Sequence, residues 1–227
     1  MSLGRKLLAE FVGTALLLAC VVGSGIMGVR LAAGNDAIAL LANAGATAGI
    51  LYGLIAVFGP VSGAHFNPAV TLVMRLKNEL RTHEALGYMG VQIVAAIAGV
   101  LLAHAMFDLP LLQPGTRIRT GHAQWVSEGV ATFGLVLTIL LGVKQRPHAV
   151  PALVACYIFA AYWFTASTSF ANPAVTLARA LTQTFAGIRP DDVAGFVLAQ
   201  LVGAATAMAV AHALSENPRL PGREETG

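Results

Sequence analysis

The sequence predicts an all-α membrane protein of six transmembrane helices and two re-entrant half-helices, arranged as an inverted repeat. Three observations carry this reading. The composition is 56% hydrophobic and 11% charged, with a mean hydropathy of +0.72, which is outside the range of soluble domains. Six mostly apolar stretches approach or exceed the length that crosses about 30 Å of hydrocarbon. The hexapeptide Asn67-Pro68-Ala69-Val70-Thr71-Leu72 returns unchanged as Asn172-Pro173-Ala174-Val175-Thr176-Leu177, each copy in a segment too short and too broken to span.

The six stretches cover residues 7–29, 37–58, 85–107, 123–143, 149–166 and 193–214. The first exceeds the apolar core of a cleaved signal, carries Glu10 and has a counterpart later in the chain, so it is expected to be a permanent helix. Cys20 and Cys156 lie in apolar segments and read as small buried hydrophobes rather than a disulfide or metal site. Gly45-Ala46-Thr47-Ala48-Gly49 and Gly203-Ala204-Ala205 read as close helix contacts. The segment 215–227 has no apolar period and is expected to be a mobile cytoplasmic tail.

Charge is informative about topology. With the N-terminus inside, nine Lys and Arg fall on the cytoplasmic side (Arg5, Lys6, Arg75, Lys77, Arg81, Lys144, Arg146, Arg219, Arg223) and five outside (Arg30, Arg117, Arg119, Arg179, Arg189). That bias places both termini in the cytoplasm. The basic residues flank membrane segments, so the partner they imply is the lipid bilayer and not a nucleic acid.

The duplication extends past the hexapeptide. Glu10-Phe-Val-Gly-Thr14 answers Glu128-Gly-Val-Ala-Thr132, and Gln92 with His104 twelve residues on answers Gln200 with His212. The chain is thus one channel-sized domain, 1–227, with repeats at about 5–107 and 122–214. Three spans per repeat, an odd number, make the second copy enter from the opposite face. The two motif loops then meet near the midplane.

Each motif should begin a helix, because Asn is a strong N-cap and Pro at the first helical position forfeits no intrahelical bond. Two half-helices of about ten residues, each about 15 Å long, would together match the core thickness. The runs before them, 59–66 and 166–171, are expected to be extended, with unpaired carbonyls tolerable at membrane depth only beside a wet cavity. A pore follows, with two positive helix ends and the Asn67 and Asn172 amides at its centre, where cations and protons meet a barrier.

With the paired Asn-Pro-Ala loops, Ser62-Gly63-Ala64-His65 before the first, and Glu10 and Glu128, residues 5–214 resemble the aquaporin and glycerol-facilitator (major intrinsic protein) family. The resemblance implies one pore per subunit, a homotetramer, passive passage of small neutral solutes, and pore-wall carbonyls at Gly63, Ala64, His65, Thr168 and Phe170. No catalytic constellation appears in the sequence, and no cofactor, no metal and no enzyme activity are expected.

The sequence departs from the family pattern at Val175, where most members carry an Arg that charges the outer constriction. Counting along the motif spacing puts the other constriction positions at Thr47, Ala160 and Ser169, so the filter is expected to be wide and uncharged. This pattern looks most like the bacterial aquaglyceroporins linked to arsenic resistance. The expected solutes are arsenous acid, methylated arsenicals, glycerol, urea and water. A water-selective channel is the alternative, and a proton-coupled carrier or a closed scaffold belongs to another class.

Several polar residues have structural readings. Arg179, four residues beyond Val175 and one turn nearer the outside, could charge the vestibule, but the favoured expectation is that it reaches headgroups or pairs with an acid, and it is not placed in the filter. Glu10 and Glu128 should accept backbone N–H groups of the re-entrant loops and hold them open. Gln92 and Gln200 are expected to be loop or helix ties, and His104 and His212 to be interfacial. His65 should present its carbonyl to the pore, with its ring packed.

Overall fold

The computed structural model describes residues 1–215, so the expected tail lies, past Ser215, outside the described residues. The described chain is helical. In order come α1 (Leu3–Leu31), α2 (Asp36–Ser62), α3 (Pro68–Leu76), α4 (Thr82–Met106), α5 (His122–Gln145), α6 (Val150–Phe164), α7 (Pro173–Arg179) and α8 (Val193–Ala213). Single 3₁₀ turns at Pro147–Ala149 and Pro190–Asp192 lead into α6 and α8. Six helices are long and apolar enough to cross a membrane: α1, α2, α4, α5, and α6 and α8 with their leading turns. The protein is a multi-pass membrane protein.

Helix starts follow the capping chemistry. Asn35 opens α2, its Oδ1 accepting from the N–H groups of Ala37 (3.0 Å) and Ile38 (3.2 Å). Glu84 reaches back to the Arg81 N–H (3.2 Å) at the start of α4. At the end of α2, Gly63 takes a φ of +88° and its N–H bonds the Gly59 carbonyl at 2.9 Å, a C-terminal position glycine fills without strain.

The helices are arranged as two like units. α1 packs against α4 and α2, α5 packs against α8 and α6, and α2 against α6 joins the units. Small residues bring backbones together: a Cβ on Gly99 would run into the Ala15 carbonyl of α1, and one on Gly203 into the Gly129 carbonyl of α5. Leu86, Val94, Val126, Leu198 and Val202 are exposed on the outer surface, as suits side chains solvated by lipid tails.

Two expectations about helix limits need correction. Residues 59–62 are not extended but form the last turn of α2, with Pro60 inside it. Proline's fixed φ is a helical φ, so it removes one hydrogen bond without forcing the chain out of the helix. The half-helices α3 and α7 have nine and seven residues, somewhat shorter than ten.

Candidate pore

The two motif loops are built alike, position for position. Ala64 (φ +50°) and Phe66 (+50°) precede Asn67 as Ser169 (+51°) and Ala171 (+49°) precede Asn172. Neither run is extended: left-handed residues flank His65 in one loop and Phe170 in the other. Left-handed backbone at a non-glycine residue costs about 1–3 kcal/mol and persists only where the surroundings enforce it.

Two buried carboxylates provide that enforcement. Glu10 Oε1 accepts from the Ser62 hydroxyl (2.6 Å) and the His65 N–H (2.9 Å), and Oε2 from the Phe66 N–H (2.7 Å) and Gln92 Nε2 (2.8 Å). Glu128 accepts from the N–H groups of Phe170 (2.8 Å) and Ala171 (2.9 Å) and from Gln200 Nε2 (2.6 Å). Gln92 and Gln200 also reach Thr71 (3.0 Å) and Thr176 (2.8 Å), the hydroxyls of the hexapeptides. Each acid therefore ties a spanning helix, a loop, a half-helix and a second spanning helix together. A charge at that depth is tolerable because its lone pairs are filled by fixed donors.

The motifs meet face to face. Asn67 Oδ1 caps α3 by accepting from Ala69 N–H (2.9 Å), and its Nδ2 donates to the Ala171 carbonyl of the other loop at 2.8 Å. Asn172 Oδ1 caps α7 by accepting from Ala174 (3.0 Å) and Val175 (3.3 Å), and its Nδ2 donates to the Phe66 carbonyl at 2.8 Å. The capping bonds fix which amide atom is oxygen. Each Nδ2 carries a second N–H, and both asparagines line the central cavity. Pro68, Ala69, Pro173 and Ala174 are buried behind them.

That cavity measures about 70 Å³. Since about 10–15 Å³ on this measure holds one water, it has room for a short file of waters or one small polyol. Its wall combines apolar faces of α1, α2, α5 and α6 with Ala64, His65, Phe66, Ser169 and Phe170 of the loops. A second, wider cavity of about 980 Å³ adjoins it at His65 and includes Gly63, Lys6, Lys77, Lys144 and His212. Thr168 lines neither of these two cavities; it faces Arg119, with Oγ1 3.5 Å from Nη1.

Three further expectations are corrected. Ala160 is exposed and absent from the cavity wall, where α6 contributes Val154, Ile158 and Tyr162. These residues are four apart and share one helix face, whereas position 160 lies about 200° around from Ile158. The wall is thus aromatic at the level of Thr47, whose hydroxyl lies 3.3 Å from that of Tyr162. Arg179 neither reaches the surface nor pairs with an acid among the described residues. It is 2% exposed, lies 3.3 Å from the Phe170 ring centre, donates from Nε to the Ala186 carbonyl, and lines the cavity beside Val175.

His104, expected at the interface, is fully buried, with Nδ1 2.7 Å from the Leu111 carbonyl and Nε2 2.8 Å from the Thr182 hydroxyl. It clips the loop after α4 to the loop after α7. Arg119 had no assigned role. Its guanidinium binds the carbonyls of Ser167 (2.9 Å) and Gly187 (3.0 Å), while its N–H bonds Asp192 (2.7 Å). The spacing 154, 158, 162 was available in the sequence to find Tyr162. Nothing local marks Arg119.

Six spans with two opposed half-helices, asparagine-capped and facing one narrow cavity, define a membrane channel. Residues 1–169 match the family described as major intrinsic protein. Over 208 residues the chain is 58% identical to the aquaglyceroporin AqpS of Rhizobium meliloti, covering 92% of this chain and 89% of that protein. It is 35% identical over 156 residues to the glycerol uptake facilitator protein-like 6 of Lactiplantibacillus plantarum, covering 63% of this chain and 65% of that one. Its fold superposes on the aquaglyceroporin from Plasmodium falciparum with a TM-score of 0.73 at 18% identity, over 92% of this chain and 95% of that one. The chain belongs to the major intrinsic protein family, whose members are channels and not enzymes.

Proposed function

We propose that the protein is a passive channel for small neutral solutes: glycerol, arsenous acid and its methylated forms, urea and water. The observation that carries this is the reciprocal pair of Asn67–Ala171 and Asn172–Phe66 hydrogen bonds, which butt two helix N-termini against one cavity. Their positive ends and the free amide N–H groups orient a passing oxygen and repel cations. Named relatives that are aquaglyceroporins and glycerol facilitators support a polyol pathway.

In this reading Thr47, Ser169 and Val175 form the constriction with Tyr162 in the place expected for Ala160. Val175, standing where family members usually carry Arg, leaves room for a three-hydroxyl solute, and trivalent arsenic at neutral pH is such a hydroxide. The carbonyls of Gly63, Ala64, His65 and Phe170 replace solute hydration along the path. The two motif-bearing units are read as inverted repeats, the subunits as a homotetramer, and the site as the inner membrane with both termini cytoplasmic. Glu10 and Glu128 have their oxygens committed to fixed donors, which suits a scaffold role better than proton coupling.

The test is stopped-flow light scattering of proteoliposomes under inward glycerol and arsenous acid gradients. Non-saturating flux of both solutes in either direction is expected. Water flux alone would make this a water-selective channel, and saturation with dependence on a proton gradient would make it a carrier.

A further inference from the structure

The α7 half-helix ends at Arg179, one turn past Val175 and therefore about 6 Å further along the axis. The chain then folds back. Ile188 N–H bonds the Arg179 carbonyl (3.2 Å), Gly115 N–H bonds the Ala180 carbonyl (2.8 Å), and the Ala186 carbonyl takes Nε. The guanidinium is thus held between the 180–189 loop and the Phe170 ring. Among the described residues its only hydrogen bond is the one from Nε, which leaves the Nη donors for the cavity it lines.

Tyr162, Thr47 and Ser169 line the same cavity, and the buried Ser169 hydroxyl has no hydrogen-bond partner among the described residues. No carboxylate pairs with Arg179 among the described residues. The acid nearest the motif, Glu128, is occupied by backbone and Gln200 donors, and a second buried guanidinium, Arg119, lies 4.8 Å from the same Phe170 ring. The field in this part of the cavity is positive and weakly screened, because the site is enclosed. Guanidinium is the cation best suited to such a place, being weakly hydrated and able to stack on an aromatic ring.

We infer that Arg179 is the specificity-determining cation of this pore: it excludes inorganic cations and protons and, with the Ser169 and Tyr162 hydroxyls, binds the oxygens of a neutral polyhydroxy solute, one helical turn beyond Val175. The loss of charge at Val175 is then a displacement of the charged filter along α7. Moving the guanidinium one turn away separates width from charge, since the ring at Val175 stays open while the positive potential remains. This rests on the channel reading proposed above.

The experiment uses the full chain in proteoliposomes, with glycerol flux and valinomycin-coupled proton leak measured on the same vesicles and potassium leak on matched vesicles without valinomycin. Arg179→Gln keeps a donor for the Ala186 carbonyl and removes the charge, Arg179→Lys keeps the charge, and Val175→Arg with Arg179→Gln moves it back one turn. Expected are a cation-tight wild type, a proton or potassium leak raised at least about tenfold in Arg179→Gln together with a lowered ratio of glycerol to water flux, and tightness in Arg179→Lys. The double variant should be tight but slower for glycerol relative to water. An unchanged leak in Arg179→Gln with intact glycerol flux, or a wild type that itself leaks cations, overturns the inference. If Arg179→Gln does not yield folded protein, Arg179→Met carries the same comparison, and Arg179→Lys leaking cations while passing glycerol also overturns it. A wild type that passes no solute overturns the channel reading instead.

Discussion

The hydroxyls of Thr47 and Tyr162 lie 3.3 Å apart, joining α2 of the first unit to α6 of the second across the cavity wall. Tyr162 is almost wholly buried, and its ring takes up space that an alanine at this place would leave open. Tyr162→Ala should therefore widen the pathway and raise permeability to a four-carbon polyol several-fold relative to glycerol. Tyr162→Phe should cost only the hydroxyl contact, about 1 kcal/mol. Ala160→Leu, on the outward face, should leave the size series unchanged. A polyol series by light scattering checks all three, and a selectivity change in Ala160→Leu would restore the position that motif counting chose.

Replacing either carboxylate by its amide should loosen a loop. Glu128→Gln puts an NH₂ where Phe170 N–H, Ala171 N–H or Gln200 Nε2 now finds an acceptor. A buried donor facing a donor costs about 1–3 kcal/mol. Thermal unfolding in detergent should shift downward, more for Glu10→Gln, whose carboxylate holds four donors. Glycerol flux through the protein that remains folded should still ignore an imposed pH gradient.

Helix contact at glycine should tolerate no side chain. Gly203→Val in α8 would drive Cβ into the Gly129 carbonyl and the Phe133 N–H region of α5. Overpacking of this kind costs about 1–3 kcal/mol. Gly49→Ala, with open space around it, should be neutral, although the sequence grouped Gly49 with the close-contact glycines. Resistance to unfolding by denaturing detergent compares the pair.

Asn172→Ala should lose two things at once: the α7 cap, worth about 1 kcal/mol, and the donor to the Phe66 carbonyl. Asn67→Ala removes the matching pair in the other loop. Each is expected to lower glycerol flux per channel, and the double variant to fall by less than the product of the singles, because the two cross-bonds brace the same junction. Strict multiplicativity would show the junction is not shared.

His104→Leu should free the loop after α4 from the loop after α7, leaving the Thr182 hydroxyl and the Leu111 carbonyl without their shared partner. The expected cost is about 1–3 kcal/mol. Faster amide exchange confined to residues 108–121 and 180–189 is the signature to look for.

The sequence alone determined the membrane class, the number of spans, the duplicated unit and the residues that start both half-helices. These depend on local properties: apolar length, and the capping chemistry of Asn followed by Pro. It also gave Glu10 and Glu128 their role as loop supports, because a carboxylate inside an apolar helix needs fixed donors and the re-entrant loop has unpaired ones. What required the tertiary structure was the facing of side chains late in each unit. Counting twelve residues back from Asn172 selects Ala160, but α6 is set so that 154, 158 and 162 face the cavity, and two residues of error on a helix turn a side chain to the opposite side. For Arg179 the sequence favoured an interfacial cation over a vestibule charge, because nothing in its neighbourhood along the chain reveals that the 180–189 loop folds back over it, or that Phe170 from the other side of the motif supplies a ring to stack on. Those are long-range contacts, and only they decided that a buried guanidinium lines the cavity.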